Sequence, residues 1–267
     1  MHLKRLIVAV LLLPVLYLYI VFLPPRYFFF LVIIVSTLAL SEFYSMYRVS
    51  PVLKYAGLFF GISVLGISYI SRAHLPDAVV AAVMAVMVIR LLFRRDPASS
   101  LSDVAPVVVG ILYIPALLSF QVELRNFGAE WIIFLYGTVW ASDSLAYYLG
   151  KGIGKRRLYA EVSPNKTVAG AVGSLIGGAA GALILKAAIV PQLTAASAAV
   201  IGIMAGIISI IGDLVESMFK RDAGVKDSGG LIPGHGGMLD KVDGVLFGGP
   251  LLYWILKFIH AKQGTGL

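Results

Sequence analysis

The stretch "AAVIGIMAGIISIIGDLVESMFKR", residues 198–221, decides the fold class. From Ala198 to Gly212 no side chain is charged. Asp213, Glu216, Ser217 and Lys220 then follow at i, i+3, i+4 and i+7, which places them on one face of a helix. About 20 apolar residues cross a bilayer core as a helix, and the run extends back to residue 192. The stretch reads as a membrane span that ends in a polar stripe. The stripe has two readings, an internal ladder of ion pairs or a set of carboxylate ligands for a hard cation.

The rest of the chain agrees. Hydrophobic residues make up 59% of the 267 positions and charged residues 13%, with mean hydropathy +0.91. A soluble domain is about half apolar and a quarter charged. Nine such runs stand out, at 3–23, 27–47, 52–71, 77–93, 103–122, 129–149, 167–190, 192–219 and 241–260. They are long rather than short and alternating, so the expected fold is an all-α integral membrane protein, a polytopic bundle of about nine transmembrane helices. Lys4, Arg5 and the apolar run to Val21 have the shape of a signal peptide. "FLPPRYFFF" follows without a small-residue cleavage site, so this segment is counted as a span.

Lys and Arg placement sets the orientation. With the N-terminus in the cytoplasm, most of the 22 basic residues fall on the inner side. The site then faces the cytoplasm, in the cytoplasmic membrane. The net charge of +8 is explained by loops facing anionic lipid, with no need of nucleic acid. The chain has no cysteine, which excludes disulfides, thiolate metal sites and cysteine nucleophiles. Residues 1–125 are chemically plain and read as structural helices with a possible dimer face. Residues 126–267 hold nearly all the intramembrane carboxylates and the glycine-rich loops, and read as the catalytic part. Small-residue faces suggest a homodimer.

Within that second part several segments carry chemistry. Gly173, Gly177 and Gly181 lie on one helix face, for tight packing or for room beside a lipid tail or a dimer partner. "GKGIGKRR" (150–157) is not a Walker A loop, since Arg156 stands where Ser or Thr is required. It is a basic loop, or a contact for anionic lipid or nucleotide. In "SPNKTVAG" (163–170), Ser163 is expected to cap the next helix and Pro164 to sit in its first turn. Asn165, Lys166 and Thr167 at that helix start suit an anion. Asp143 lies within the 129–149 run, where a carboxylate needs a partner such as Tyr147 or a role in a site.

"KDSGGLIPGHGGMLDKVDG" (226–244) carries the densest polarity. Asp240 and Asp243 share the first turn of the last helix and can converge on Asp213. Three carboxylates so placed repel one another unless a cation joins them, and an all-oxygen set suits Mg²⁺. His235 is a phosphate contact, a base, a metal ligand or a turn residue. Gly236 and Gly237 let backbone approach a ligand.

From Ser217 the run "SMFKRDAGVKDSGGLIPGHGGMLDKVD" resembles the signature of the phosphatidate cytidylyltransferases, also called CDP-diacylglycerol synthases. "SPNKT" and "DSLAYYLGKGIGK" resemble a second block of that family. The family has D-R-x-D where this chain has Asp240-Lys241-Val242-Asp243, so charge is kept but the two-pronged guanidinium is lost. The resemblance implies a divalent-metal-dependent reaction of CTP with phosphatidate, giving CDP-diacylglycerol and diphosphate for phospholipid synthesis. The expected metal set is Asp213, Asp240 and Asp243, with Mg²⁺ and room for a second cation. Ser163, Asn165, Lys166, Thr167, Lys220, Arg221, Lys226, Lys241, His235, Gly236 and Gly237 are expected on the phosphates. Asp143, Glu216, Ser217 and Asp227 are expected in support. The expected partners are CTP, phosphatidate in the bilayer, anionic membrane lipid and a second copy of the chain. The alternatives are a CTP-dependent lipid kinase, an ion-coupled transporter and a non-catalytic membrane scaffold.

Overall fold

A computed structural model of the chain describes residues 14–230 and 236–262, with side chains as far as Ile259. Gly234 and His235 lie outside the described residues. Residues 14–22 are helical (α1). Then come α2 (Pro25–Met46), α3 (Pro51–Ile70), a 3-10 turn (Arg72–His74), α4 (Leu75–Phe93), α5 (Ser100–Tyr113), α6 (Pro115–Phe127) and α7 (Ala129–Ile153). A short hairpin follows, β1 (Arg157–Tyr159) and β2 (Ser163–Thr167), and then α8 (Val168–Ile189), α9 (Ala195–Asp222) and α10 (Leu239–Lys262). Prolines set several starts. α2, α3 and α4 each carry one in the first two helical positions, where its missing N–H costs nothing. Pro115 divides the run expected at 103–122 into α5 and α6.

Among the described residues, seven helical segments are long and apolar enough to cross a membrane: 25–46, 51–70, 72–93, 100–127, 168–189, 195–222 and 239–259. They coincide with seven of the nine expected runs. Most of the first expected run lies outside the described residues. α7 is long enough at 25 residues, but Ser142, Asp143, Ser144, Tyr147 and Tyr148 lower its hydropathy. Bulky apolar side chains such as Met84, Leu91 and Phe93 on α4 and Ile176 and Ile184 on α8 are exposed. A polytopic membrane protein turns such faces to lipid.

The chain divides into two compact units. One comprises Met1–Glu123 with Ala223–Lys241, the other Leu124–Asp222 with Val242–Leu267. In the first unit, α2, α3 and α5 meet at Tyr44, which is fully buried. Its hydroxyl donates to the Val107 carbonyl at 3.0 Å. Gly57 and Gly110 make room for the ring, since a Cβ at either would stand 2.6 or 2.5 Å from it. Buried Arg90 ties α4 to the turn before α5. It donates to Asp103 at 2.7 Å and to the carbonyls of Arg94, Asp96 and Ala98.

In the second unit α7, α8 and α9 pack backbone to backbone. Gly173 and Gly177 on α8 meet the carbonyls of Leu145 and Ala141 on α7. Gly178 lies against Gly202 on α9. The glycine spacing on α8 is therefore a packing device. Ser174 joins all three helices, with Ser142 Oγ at 2.5 Å and its own hydroxyl donated to the Gly206 carbonyl at 3.0 Å. The antiparallel hairpin precedes α8, with Arg157 opposite Thr167 and Tyr159 opposite Ser163.

Candidate active site

Two glycines bring the acids of the second unit together. Gly212 precedes Asp213 on α9, and a Cβ there would stand 2.5 Å from the Asp243 carbonyl oxygen. Gly244 follows Asp243 on α10, and a Cβ there would stand 2.8 Å from Ser209 Oγ. At Gly212 only hydrogen lets α9 and α10 approach this closely, and at Gly244 a methyl would press on the Ser209 hydroxyl. The approach sets Asp213, Glu216 and Asp243 so that one oxygen from each lies within 4.8 Å of the others.

The cluster is clasped by cations and hydroxyls. Lys166, at the end of β2, reaches Asp213 Oδ2 at 2.5 Å. Ser217 donates to Asp213 Oδ1 at 3.2 Å, one helical turn on. Lys220 donates to Glu216 Oε2 at 2.7 Å, and both side chains are buried. Asp143 accepts the Ser209 hydroxyl at 2.7 Å, not the Tyr147 hydroxyl considered as its partner. It lies within electrostatic reach of Asp213, Asp243 and Lys166. Four carboxylates thus face two ammonium groups. The two formal negative charges left over match one divalent cation, and the donor set is all oxygen, as a hard cation requires.

Removing one member of a buried ion pair strands the other. Lys220→Met is therefore expected to destabilise the protein by about 3–5 kcal/mol, read as a fall in thermal midpoint in detergent. Adding Glu216→Leu should recover part of that loss, because Glu216 is then no longer left as a stranded buried charge.

The residues expected on the phosphates are placed differently from a helix start. Ser163 to Thr167 form β2, and the cap of α8 is Thr167, whose Oγ1 accepts the Gly170 N–H at 3.1 Å. The cap is four residues later than expected because Ser163 and Thr167 pair with β1, which holds the segment extended. Asn165 is exposed, Lys166 half-buried and Thr167 buried. Arg221 donates to the Val162 carbonyl at 3.3 Å, tying the hairpin turn to the end of α9.

The first unit holds a separate grouping at the ends of the glycine-rich loop. Asp240 Oδ2 accepts the Gly237 N–H at 2.7 Å, the Ser228 hydroxyl at 2.9 Å and the Ser228 N–H at 3.2 Å. Gly236 has a φ of 83°, in the left-handed region. Lys226, Asp227 and Lys241 are exposed. The sequence reading missed two members of this grouping, Ser228 and Glu42. A lone acid late in the apolar run of α2 was the available signal for Glu42, the same signal that drew notice to Asp143.

A polytopic helical membrane protein with a lysine-clasped acid cluster at a close helix–helix contact is the class these features define. The profile of the cytidylyltransferase family matches residues 3–259. A phosphatidate cytidylyltransferase of Synechocystis sp. is 34% identical over 87% of this chain and 89% of its own length. One of Thermotoga maritima is 33% identical over 65% of this chain and 67% of its own. One of Brucella abortus is 44% identical over 48% of this chain and 47% of its own. The chain belongs to the cytidylyltransferase family.

Proposed function

We propose that the protein transfers the cytidylyl group of CTP to phosphatidate, giving CDP-diacylglycerol and diphosphate. The observation that carries this reading is the Asp213–Glu216–Asp243 cluster, set by the Gly212 and Gly244 contacts in a chain of this family. A phosphate oxygen of the lipid attacks the α-phosphorus of CTP, and the bond to the β,γ-diphosphate breaks in line. The electron pair leaves with diphosphate. Such transfers depend on positioning and charge neutralisation. The lipid phosphomonoester is already largely ionised near neutral pH, its second pKa being about 6, so no general base is needed.

Asp213, Glu216 and Asp243 would hold the divalent cation, Mg²⁺ in this reading. When bound it supplies Lewis-acid neutralisation of phosphate oxygens. Lys166 and Lys220 each hold one carboxylate of the cluster and would place positive charge beside the phosphates. Arg221, Lys226 and Lys241 add positive charge for the triphosphate and the lipid headgroup. Ser163, Asn165 and Thr167 lie beside Lys166 on the hairpin. His235 stays a candidate phosphate contact. Asp240 supports the site by holding Ser228 and Gly237.

The reading includes a cytoplasmic N-terminus and site, supported by the Lys and Arg bias, with anionic lipid against the basic 151–157 segment. It also includes catalysis in 126–267 and a homodimer paired through 1–125.

Purified protein in proteoliposomes should release diphosphate only when CTP, phosphatidate and Mg²⁺ are all present. Solute flux without any dependence on CTP would replace this reading with a transporter.

A further inference from the structure

We infer that Glu42 is a positioning residue that fixes the start of α10 and Ser228, acting through hydrogen bonds and not as a ligand of substrate or metal. Glu42 sits on α2, nearly two hundred residues before its partners. Its Oε1 accepts the Met238 N–H at 2.9 Å. Its Oε2 accepts the Leu239 N–H at 2.9 Å and lies 3.2 Å from the Ser228 hydroxyl. Met238 and Leu239 stand at the start of α10, where backbone N–H groups have no partner within the helix. Glu42 is thus a cap supplied from another helix, with its negative charge at the favourable end of the α10 dipole.

The contact is built on both sides. A Cβ at Gly229 would stand 2.7 Å from Glu42 Oε1, so glycine there leaves the carboxylate its place. Asp240 grips Ser228 from the other side, through both its N–H and its hydroxyl. Two carboxylates therefore share four backbone N–H donors and one hydroxyl proton. Every donor comes from 228 or from 237–239, the two ends of the glycine-rich loop.

The consequence lies in the first turn of α10. Asp240 and Lys241 follow directly on the two N–H groups that Glu42 holds. Without the cap that turn frays, and Lys241 loses its place. The effect on turnover rests on the proposed function; the effect on the backbone does not.

Glu42→Gln separates hydrogen bonding from packing. The side chains are isosteric, so the variant keeps the shape and the fold. Its –NH₂ must replace one of the two oxygens, and each oxygen faces a backbone N–H, so a donor meets a donor. Full-length wild type and Glu42→Gln are compared in detergent by amide hydrogen exchange over 236–246, and by kcat and KM for CTP with Mg²⁺ and phosphatidate. The expected result is exchange at least tenfold faster in the variant at Met238 and Leu239, with KM for CTP raised and kcat lowered about tenfold or more. A mere loss of folded protein would lower the rate but leave KM unchanged. Ser228→Ala should give a smaller effect in the same direction, since it removes the hydroxyl alone. Exchange and KM within twofold of wild type in Glu42→Gln would overturn the assignment. A wild type without CTP-dependent turnover would defeat the functional reading instead, and the exchange comparison would still decide the role of Glu42.

Discussion

Asp243→Asn is expected to abolish cytidylyl transfer while the protein stays folded in detergent. The substitution keeps size and shape and removes one formal charge from a cluster whose oxygens lie within 4.8 Å of one another. The Gly244 N–H can still donate to the remaining oxygen of residue 243, as it now does to Asp243 Oδ1 at 2.8 Å. Stability should hold or rise, because like-charge repulsion with Asp213 and Asp143 is relieved. The rate should fall by at least about 10³-fold, or about 4 kcal/mol of lost transition-state stabilisation at 1.36 kcal/mol per tenfold. Phosphatidate-dependent diphosphate release, set beside the thermal midpoint of the same preparation, checks both halves. A folded variant with near-normal rate would remove Asp243 from the cation set.

The second large effect is expected from a residue with no side chain. Gly212→Ala adds one methyl that would stand 2.5 Å from the Asp243 carbonyl oxygen, well inside contact distance. α9 and α10 must separate, and Asp213 and Asp243 separate with them. No charge, donor or acceptor is lost. A displacement of about 1 Å in a positioned site can cost about 10²-fold, so turnover should fall by about that factor, and a higher Mg²⁺ concentration should recover part of it. Gly66 on α3 is the control, because a Cβ there meets nothing within 4 Å and Gly66→Ala should leave turnover unchanged. Equal activities in the two alanine variants would show that the close approach does not matter to the site.

The parts of this molecule that were legible in its sequence are those written in local spacing. The stripe on residues 213–220 placed Asp213, Glu216, Ser217 and Lys220 on one face, and α9 carries them so, with Glu216 paired to Lys220 and Ser217 bonded to Asp213. Seven of the expected runs appear as helices of spanning length. Glycines four apart on α8 read as close packing, and the backbone contacts with α7 bear that out.

Other features depend on chain segments that meet only in three dimensions. Ser163 looks like a helix cap by local rules, but pairing with β1 keeps the segment extended as far as Thr167. Glu216 was expected in support and Asp240 in the metal set, whereas the carboxylates that come together are Asp213, Glu216 and Asp243, because nothing in the spacing says which oxygens will face Asp243. Glu42 had no local signal beyond its lone charge, since its donors at Met238 and Leu239 lie on a distant helix. Lys241 remains the departure from the family pattern. It is exposed on the first turn of α10, where a single ammonium group stands in place of a guanidinium fork.

The most direct test of cytidylyl transfer is the fate of label from CTP. Purified protein is given phosphatidate and Mg²⁺ with CTP labelled either at the α-phosphorus or at the γ-phosphorus, and the lipid and aqueous phases are counted. Cytidylyl transfer predicts α-label in the lipid and γ-label in water-soluble diphosphate. γ-Label in the lipid, with CDP left in water, would contradict it and assign the protein to lipid kinase chemistry.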